Sequence, residues 1–428
     1  MLLAVCVGGG LRLWLAGRQI AAVQAHREQV PEPFAREISA AEHHKAADYT
    51  MASVRLSRLS IVIDAIVALA LTIGGVIAAV DGEWSGTGWQ LPWRGLAVIG
   101  SVLLLTALLD LPLSVWRTFR HEARFGFNRT SPRLFVIDLL KSLLLAVVLG
   151  APVVLGMLTL MAHAGRLWWL YAWCGWLALM LLMSWAWPAL VAPLFNRFAP
   201  LQDAVLKARI EALLARCGFT SKGVFVVDGS RRSAHGNAYF TGIGSSKRIV
   251  FFDTLLERLN HDEVEAVLAH ELGHFRLHHV RKRLVVTVVT SLLALATLGW
   301  IAAQPAFYGD FGIPSASSHA ALLLFLFIAP AITFFVTPLG SLWSRRHEFE
   351  ADAFAAQHAD AAHLANALVK LYRDNASTLT PDPVYSAFYY SHPPALERIA
   401  RLRPEFGTGR WSSQSAQPAH THQATHSP

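Results

Sequence analysis

The chain has 428 residues, of which 54% are hydrophobic and only 15% charged, with a mean hydropathy of +0.39. Soluble domains carry about a quarter charged residues, so an ordinary soluble enzyme is excluded and a membrane-embedded protein is the first reading. The net charge of +8 would suit a nucleic-acid partner in a soluble chain, but here most basic residues flank apolar runs, which membrane topology explains better.

A bilayer core of about 30 Å takes roughly 20 apolar residues per helix. Seven runs approach that requirement: residues 2–15, 59–80, 95–116, 142–162, 167–190, 284–303 and 320–340. The first is short and carries Arg12. With no positive residue ahead of it and no small-residue cleavage site behind, it reads as an anchor helix rather than a signal peptide. Basic residues gather after the first run (Arg18, Arg27, Arg36, Lys45, Arg55, Arg58), between the third and fourth (Arg117, Arg120, Arg124, Arg129, Arg133), before the sixth (Arg281, Lys282, Arg283) and after the seventh (Arg345, Arg346). All these loops fall on one side, whereas the opposite connections hold only Arg94 and Arg166. The amino terminus is therefore expected outside and the carboxyl terminus in the cytoplasm. Asp64 and Asp110 lie within spans and Asp138 and Lys141 near the mouth of another; helix packing or snorkelling and a wet functional cavity are both open readings for them. Pro152, Pro330 and Pro338 are expected to kink their helices.

Between residues 191 and 283 the composition becomes that of a soluble domain. Residues 224–228, 237–244 and 248–254 carry β-branched and aromatic residues, the last two joined across Ser245-Ser246, which predicts a small sheet with a hairpin among helices. Three cysteines (Cys6, Cys174, Cys217), none in a C-x-x-C pair, form no disulfide framework. The Ser/Gln/His/Pro-rich tail, residues 406–428, is expected to be disordered, its His420, His422 and His426 solvated.

His270-Glu271-Leu272-Gly273-His274 fits H-E-x-x-H within a helical pattern that begins at Asn260, an N-cap with Glu263 as its reciprocal partner. At 3.6 residues per turn the two imidazoles project from one face about 6 Å apart, and both can reach one tetrahedral Zn²⁺ at about 2.0–2.1 Å. Glu271 stands beside that position, where its carboxylate can take a proton from water acidified by the metal and pass it to a leaving amine. His278 continues the i, i+4 ladder but would lie about 12 Å from His270, too far to share the ion. A catalytic zinc needs a third ligand, and Leu277 and Val280 occupy the Gly and His positions of the extended histidine pattern. The next acid, Asp310, falls across the membrane. Glu348, just after the seventh span and back on the cytoplasmic side, is the nearest downstream candidate, although it could instead pair with Arg345 or Arg346. Asp352, one turn further, is spaced to bond the far nitrogen of a ligating histidine, or to serve as a surface ion-pair residue.

Seven spans, the H-E-L-G-H motif and the segment Ser344-Arg345-Arg346-His347-Glu348-Phe349-Glu350-Ala351-Asp352 resemble the integral-membrane CAAX prenyl endopeptidases, type 1, among the zinc metallopeptidases. Arg124-Phe125-Gly126-Phe127-Asn128-Arg129, Asn237-Ala238-Tyr239-Phe240-Thr241-Gly242 and Ser391-His392-Pro393-Pro394 followed by Glu397-Arg398-Ile399 agree. The resemblance covers roughly residues 30 to 403. It implies a mainly α fold, a multi-pass bundle of about seven helices enclosing a chamber, with a cytoplasmic zincin-type metalloprotease domain that contains a small β-sheet. The expected domains are a five-span membrane region over residues 1–190, whose family portion is about 30–190, and a metallopeptidase domain over 191–405 that includes the sixth and seventh spans. It further implies one Zn²⁺ per chain, Glu348 as third ligand, and a strand of Asn237, Ala238, Tyr239 and Phe240 that pairs with an extended substrate. His392 and Arg398 are then candidates to stabilise an oxyanion and hold substrate. Their structural alternatives are a helix start at His392 and ion pairs of Arg398 with Glu397 or Glu405. The Arg124–Arg129 segment could also serve simply as a bilayer-surface anchor.

The expected activity is zinc-dependent endoproteolysis near the carboxyl terminus of prenylated or CAAX-type proteins. The Ala-rich composition and the lack of an ER retrieval signal suggest a bacterial inner membrane with the active site facing the cytoplasm. There, a membrane-protein quality-control protease without prenyl specificity is an equal alternative. A non-enzymatic seven-span transporter or lipid-binding chamber with structural zinc is the other class, though no cysteine lies near the motif to close a structural site. The partners are a peptide or protein substrate and the lipid bilayer, with no nucleic acid.

Overall fold

The computed structural model describes residues 1–221, 223–241, 248–313 and 315–403. The predicted disordered tail and the hairpin turn at Ser245-Ser246 lie outside the described residues. In a bilayer the backbone must satisfy its own polar groups, and the apolar part of the chain is helical accordingly. It opens with α1 (Leu2–Ala25), α2 (Ala40–Leu71) and α3 (Val76–Ser85), the last two bent by 46° against each other. α4 (Trp93–Trp116), α5 (Pro132–Leu145), α6 (Ala151–His163), α7 (Trp168–Ala186) and the short α8 (Ala192–Phe195) follow. Widened turns link several of them, so that Trp93–Glu122, Pro132–His163 and Gly165–Phe195 are each one helical run.

The soluble segment contributes β1 (Phe198–Pro200), α9 (Ala204–Arg216), β2 (Val224–Val227), β3 (Ala238–Thr241), β4 (Arg248–Phe252), α10 (Asp253–Leu256) and α11 (His261–Arg276). The chain then returns to the membrane through α12 (His279–Ile301), α13 (Pro305–Gly309) and α14 (Ser318–Thr333). It ends in α15 (Thr337–His358), α16 (Ala361–Asp374), α17 (Pro383–Tyr389) and α18 (Ala395–Leu402). Among the described residues five helical runs are long and apolar enough to cross a membrane, or six if the bent α2–α3 pair forms one span. The sequence suggested seven. The difference lies at α1, a 24-residue helix whose apolar run is diluted by Arg12, Arg18 and Gln19.

The sheet runs β1-β2-β4-β3, with β2 and β4 parallel and both outer pairs antiparallel. Ile249, Val250 and Phe251 of β4 are at most 2% exposed, so this strand is covered on both faces and reads as an unbroken apolar run. α9, α11, α16 and α18 supply the cover through Ile210, Leu213, Leu268, Leu272, Leu364 and Ile399. β3 closes one side as an edge strand, with Ala238 opposite Phe251.

The Arg124–Arg129 segment is braced by protein. The Arg129 N–H donates to Arg232 O at 3.1 Å, the Ala234 N–H donates to Phe127 O at 3.1 Å, and Asn128 bridges Ser233. Arg232 in turn grips Asp138 with bonds of 2.8 and 3.0 Å, so that acid belongs to the junction between the membrane and soluble parts. Asp64 and Asp110, with Arg12, line a cavity of about 580 Å³ between α1, α2, α4 and α14.

The N-cap of α11 forms as its sequence suggests: Asn260 Oδ1 accepts from Glu263 N–H and Glu263 Oε2 from Asn260 N–H, both at 2.9 Å. Asn260→Ala should lower stability by about 1 kcal/mol, read as a lower Tm of the detergent-solubilised protein.

Candidate metal centre and cleft

α11 and α15 meet because a glycine lets them. A Cβ on Gly273 would lie 3.0 Å from Ala351 Cα and 3.1 Å from Phe354 Cβ, closer than ordinary van der Waals contact. The His270/His274 face of α11 is thereby set against the turn of α15 that carries Glu348 and Asp352. Both helices join membrane spans directly. α11 breaks at His278, whose left-handed φ of 59° turns the chain into α12, and α14 runs through a tight turn into α15 as one 41-residue run, Ser318–His358. His278 is therefore not on the motif helix, and the ladder read from the sequence stops at Arg276.

His270 Nε2 and His274 Nε2 are 3.3 Å apart, His270 Nε2 is 3.5 Å from Glu348 Oε2, and His274 Nε2 is 3.4 Å from Glu348 Oε1. A tetrahedron with bonds of about 2.0–2.1 Å has edges of about 3.3–3.4 Å, so three donors of this kind at these separations fit one small divalent cation. Glu348 is 3% exposed, and its buried Oε2 has no hydrogen-bond partner. The neighbourhood favours positive charge, since the carboxylates of Glu271, Glu348 and Asp352 outnumber the single guanidinium of Arg398. Burial works against a charged His270, but the carboxylates of Asp352, at 2.8 Å, and Glu348, at 3.5 Å, outweigh that and raise its pKa to about 9.

Asp352 Oδ1 lies 2.8 Å from His270 Nδ1, the nitrogen turned away from the three-donor centre. Arg398 clasps the same carboxylate through Nε and Nη2, with bonds of 2.9 and 2.5 Å. Arg398, expected to hold substrate, lines the cleft beside Glu271. It is only 5% exposed there and spends two of its nitrogens on Asp352, leaving Nη1 3.9 Å from Glu348 Oε2.

Glu271 opens onto a cleft of about 350 Å³ lined also by Asn237, Ala238, Tyr372, Asn375 and His392. Burial lifts the Glu271 carboxyl above the usual range against the opposing pull of His270 and His274, as suits a group that must accept a proton. His392 has a 64% exposed side chain, with Nε2 3.5 Å from Glu348 Oε2. The edge strand β3 starts at the same cleft, so Asn237 and Ala238 are brought to it, and Tyr239 and Phe240 follow along the strand.

Sequence reasoning missed Asn375 and His279. Asn375 Oδ1 accepts from Gly236 N–H at 3.2 Å and contacts His235 Nδ1 at 3.2 Å, pinning the approach to β3. An asparagine outside any motif gave no signal. His279, one residue beyond His278, lies with Nδ1 3.0 Å from His274 Nδ1.

The chain is similar over most of its length to proteins of known family. A model of the CAAX prenyl protease N-terminal region, with five membrane helices, matches residues 19–197, and the model of peptidase family M48 matches residues 200–405. The chain belongs to peptidase family M48, in its integral-membrane CAAX prenyl protease branch. It is 38% identical to the CAAX prenyl protease 1 homolog of Oryza sativa subsp. japonica over 72% of each chain. It is 36% identical to CAAX prenyl protease 1 of Saccharomyces cerevisiae, again over 72% of each. The crystal structure of S. mikatae Ste24p superposes with a TM-score of 0.87 at 30% identity, covering 94% of this chain and 97% of that one. This M48 protein is thus a multi-pass membrane metalloendopeptidase, and the non-enzymatic reading falls.

Gly273→Val should push α15 away from α11. Metal analysis of the purified variant should show bound metal lost together with peptide cleavage, although glycine is itself unfavourable by about 1 kcal/mol within a helix. A variant with full metal content would show that the close approach is dispensable.

Proposed function

We propose that this chain is a zinc endopeptidase in which His270 Nε2, His274 Nε2 and Glu348 hold one Zn²⁺ at the cytoplasmic ends of its membrane helices. The observation that carries this reading is the set of three donor separations, 3.3, 3.4 and 3.5 Å, around a buried carboxylate oxygen without a hydrogen-bond partner. Zinc, when bound, supplies Lewis acidity that brings the pKa of a coordinated water toward about 7.

The remaining steps fall to the chain's own residues. Glu271 takes the proton from the attacking water and returns it to the leaving amine. The substrate lies extended along the free edge of β3, where Asn237, Ala238, Tyr239 and Phe240 offer backbone donors and acceptors. His392, exposed on the cleft, donates to the oxyanion as charge develops. Arg398 acts at one remove. By clasping Asp352 it fixes the carboxylate that orients His270, a positioning role better matched to its burial than contact with substrate.

The relatives are named CAAX prenyl proteases, and this supports carboxyl-terminal processing of prenylated, CAAX-type proteins as the substrate class. The basic residues of the loops on the zinc side support a cytoplasmic active site, and the Ala-rich composition supports a bacterial inner membrane.

Glu271→Gln should retain one equivalent of zinc and lose cleavage by about 10²–10⁴-fold. Glu348→Ala should lower zinc content, and unchanged stoichiometry would move the third ligand elsewhere. Chelation by 1,10-phenanthroline should abolish cleavage, with zinc restoring it. For substrate class, peptides co-purifying with Glu271→Gln from its host membrane are expected to carry prenylated or CAAX-like termini. A mixture of damaged membrane proteins would assign the broader quality-control role instead.

A further inference from the structure

The two motif histidines have different backing. His270 leans through Nδ1 on Asp352, whose side chain is 5% exposed. His274 has no carboxylate at that position. Its Nδ1 meets His279 Nδ1 at 3.0 Å, His279 Nε2 meets Glu350 Oε2 at 2.9 Å, and Arg346 Nε donates to Glu350 Oε1 at 3.0 Å. His279 is 2% exposed, the Glu350 side chain 34% and the Arg346 side chain 79%, so the chain of contacts runs from the centre out to solvent.

The hydrogen positions on this chain have one consistent solution. If His274 offers Nε2 to the metal, its Nδ1 carries the proton and donates. His279 Nδ1 must then accept, which puts the proton of His279 on Nε2, where it donates to the Glu350 carboxylate. Reversing any one tautomer sets two N–H groups or two lone pairs against each other. His347 stacks on His279 with ring centroids 4.0 Å apart and planes within 10°, which holds the relay ring in its plane.

We propose that His279 and Glu350 form a two-member relay that positions His274: His279 fixes its tautomer and ring plane, and Glu350 fixes those of His279. The proposal rests on His274 being a metal ligand, as argued above. A second metal on His279, His347 and Glu350 is the competing reading, because their donor atoms lie within 4.8 Å of one another. The stacked rings count against it, since in-plane lone pairs of parallel imidazoles run side by side rather than converge.

The test measures zinc dissociation constants of the purified full-length protein by competition with a chromophoric chelator, together with zinc stoichiometry. His279→Ala should weaken binding by about 10- to 100-fold. His279→Gln, which keeps an acceptor at one end and a donor at the other, should recover part of the loss. Glu350→Ala, altered at a side chain that is 34% exposed, should weaken binding by a smaller factor. In a His279→Ala background the Glu350→Ala change should have no further effect, because the two act in series. Additive losses in the double variant, or parental affinity in His279→Ala, would overturn the relay. So would a parent holding two zinc equivalents of which His279→Ala loses one. His274→Ala separates the two readings. If it binds zinc like the parent, the ligand assignment itself fails. If it loses zinc while His279→Ala does not, only the relay fails.

Discussion

The close approach of α11 and α15 at Gly273 and Ala351 is the contact on which the site depends. Two helices joined through ordinary side chains sit 8–10 Å apart. Here one helix presents a bare backbone, and Ala351 opposite it is fully buried. That proximity lets a short carboxylate from α15 reach between two imidazoles of α11, and it also brings Asp352 behind the first of them. Leu272, beside the glycine and fully buried, ties the same turn into the core under the sheet.

The membrane helices act as a frame for this contact. α12 leaves the motif helix after a single left-handed residue, and α15 is the outward extension of the last apolar run, so their separation is set partly within the bilayer. α1 supports the segment around α17 that leads to His392. Arg18 bonds both oxygens of Asp382 at 2.9 and 3.2 Å, and the fully buried Gln19 accepts from Asp382 N–H at 2.8 Å while its amide donates to Tyr390 at 3.4 Å. From α15, Arg345 Nη1 donates to Ser386 O at 2.6 Å. The segment leading to His392 is therefore held from the first helix and from the helix that carries Glu348.

The buried charges are arranged so that few are left without an opposite. A carboxylate removed from water is costly unless paired or hydrogen-bonded. Asp352 has His270 and Arg398, and Glu263 has Lys370 at 2.7 Å. Glu348 differs in that its buried Oε2 makes no hydrogen bond, with His270 and His392 each 3.5 Å away and Arg398 at 3.9 Å. An anion so placed favours a cation, and it gives the centre its chemistry.

Much of this was legible in the linear chain. Hydropathy separates membrane from soluble segments because the bilayer demands long apolar helices, the spacing of His270 and His274 follows from helical pitch, and Asn260 with Glu263 marks where that helix begins. β-branched and aromatic runs located β2, β3 and β4. What the sequence could not carry was distance between elements remote along the chain. Whether the helix of Glu348 would touch that of His270 depends on backbones meeting at Gly273, and a glycine in a motif position that tolerates any residue says nothing about its neighbour. The burial of Arg398 behind Asp352, the approach of His279 to His274 and the bracing of Arg124–Arg129 by residues 232–234 are likewise consequences of packing. Local propensity and periodicity act over a few residues, whereas these contacts join segments tens to hundreds of residues apart, and only the folded chain decides them.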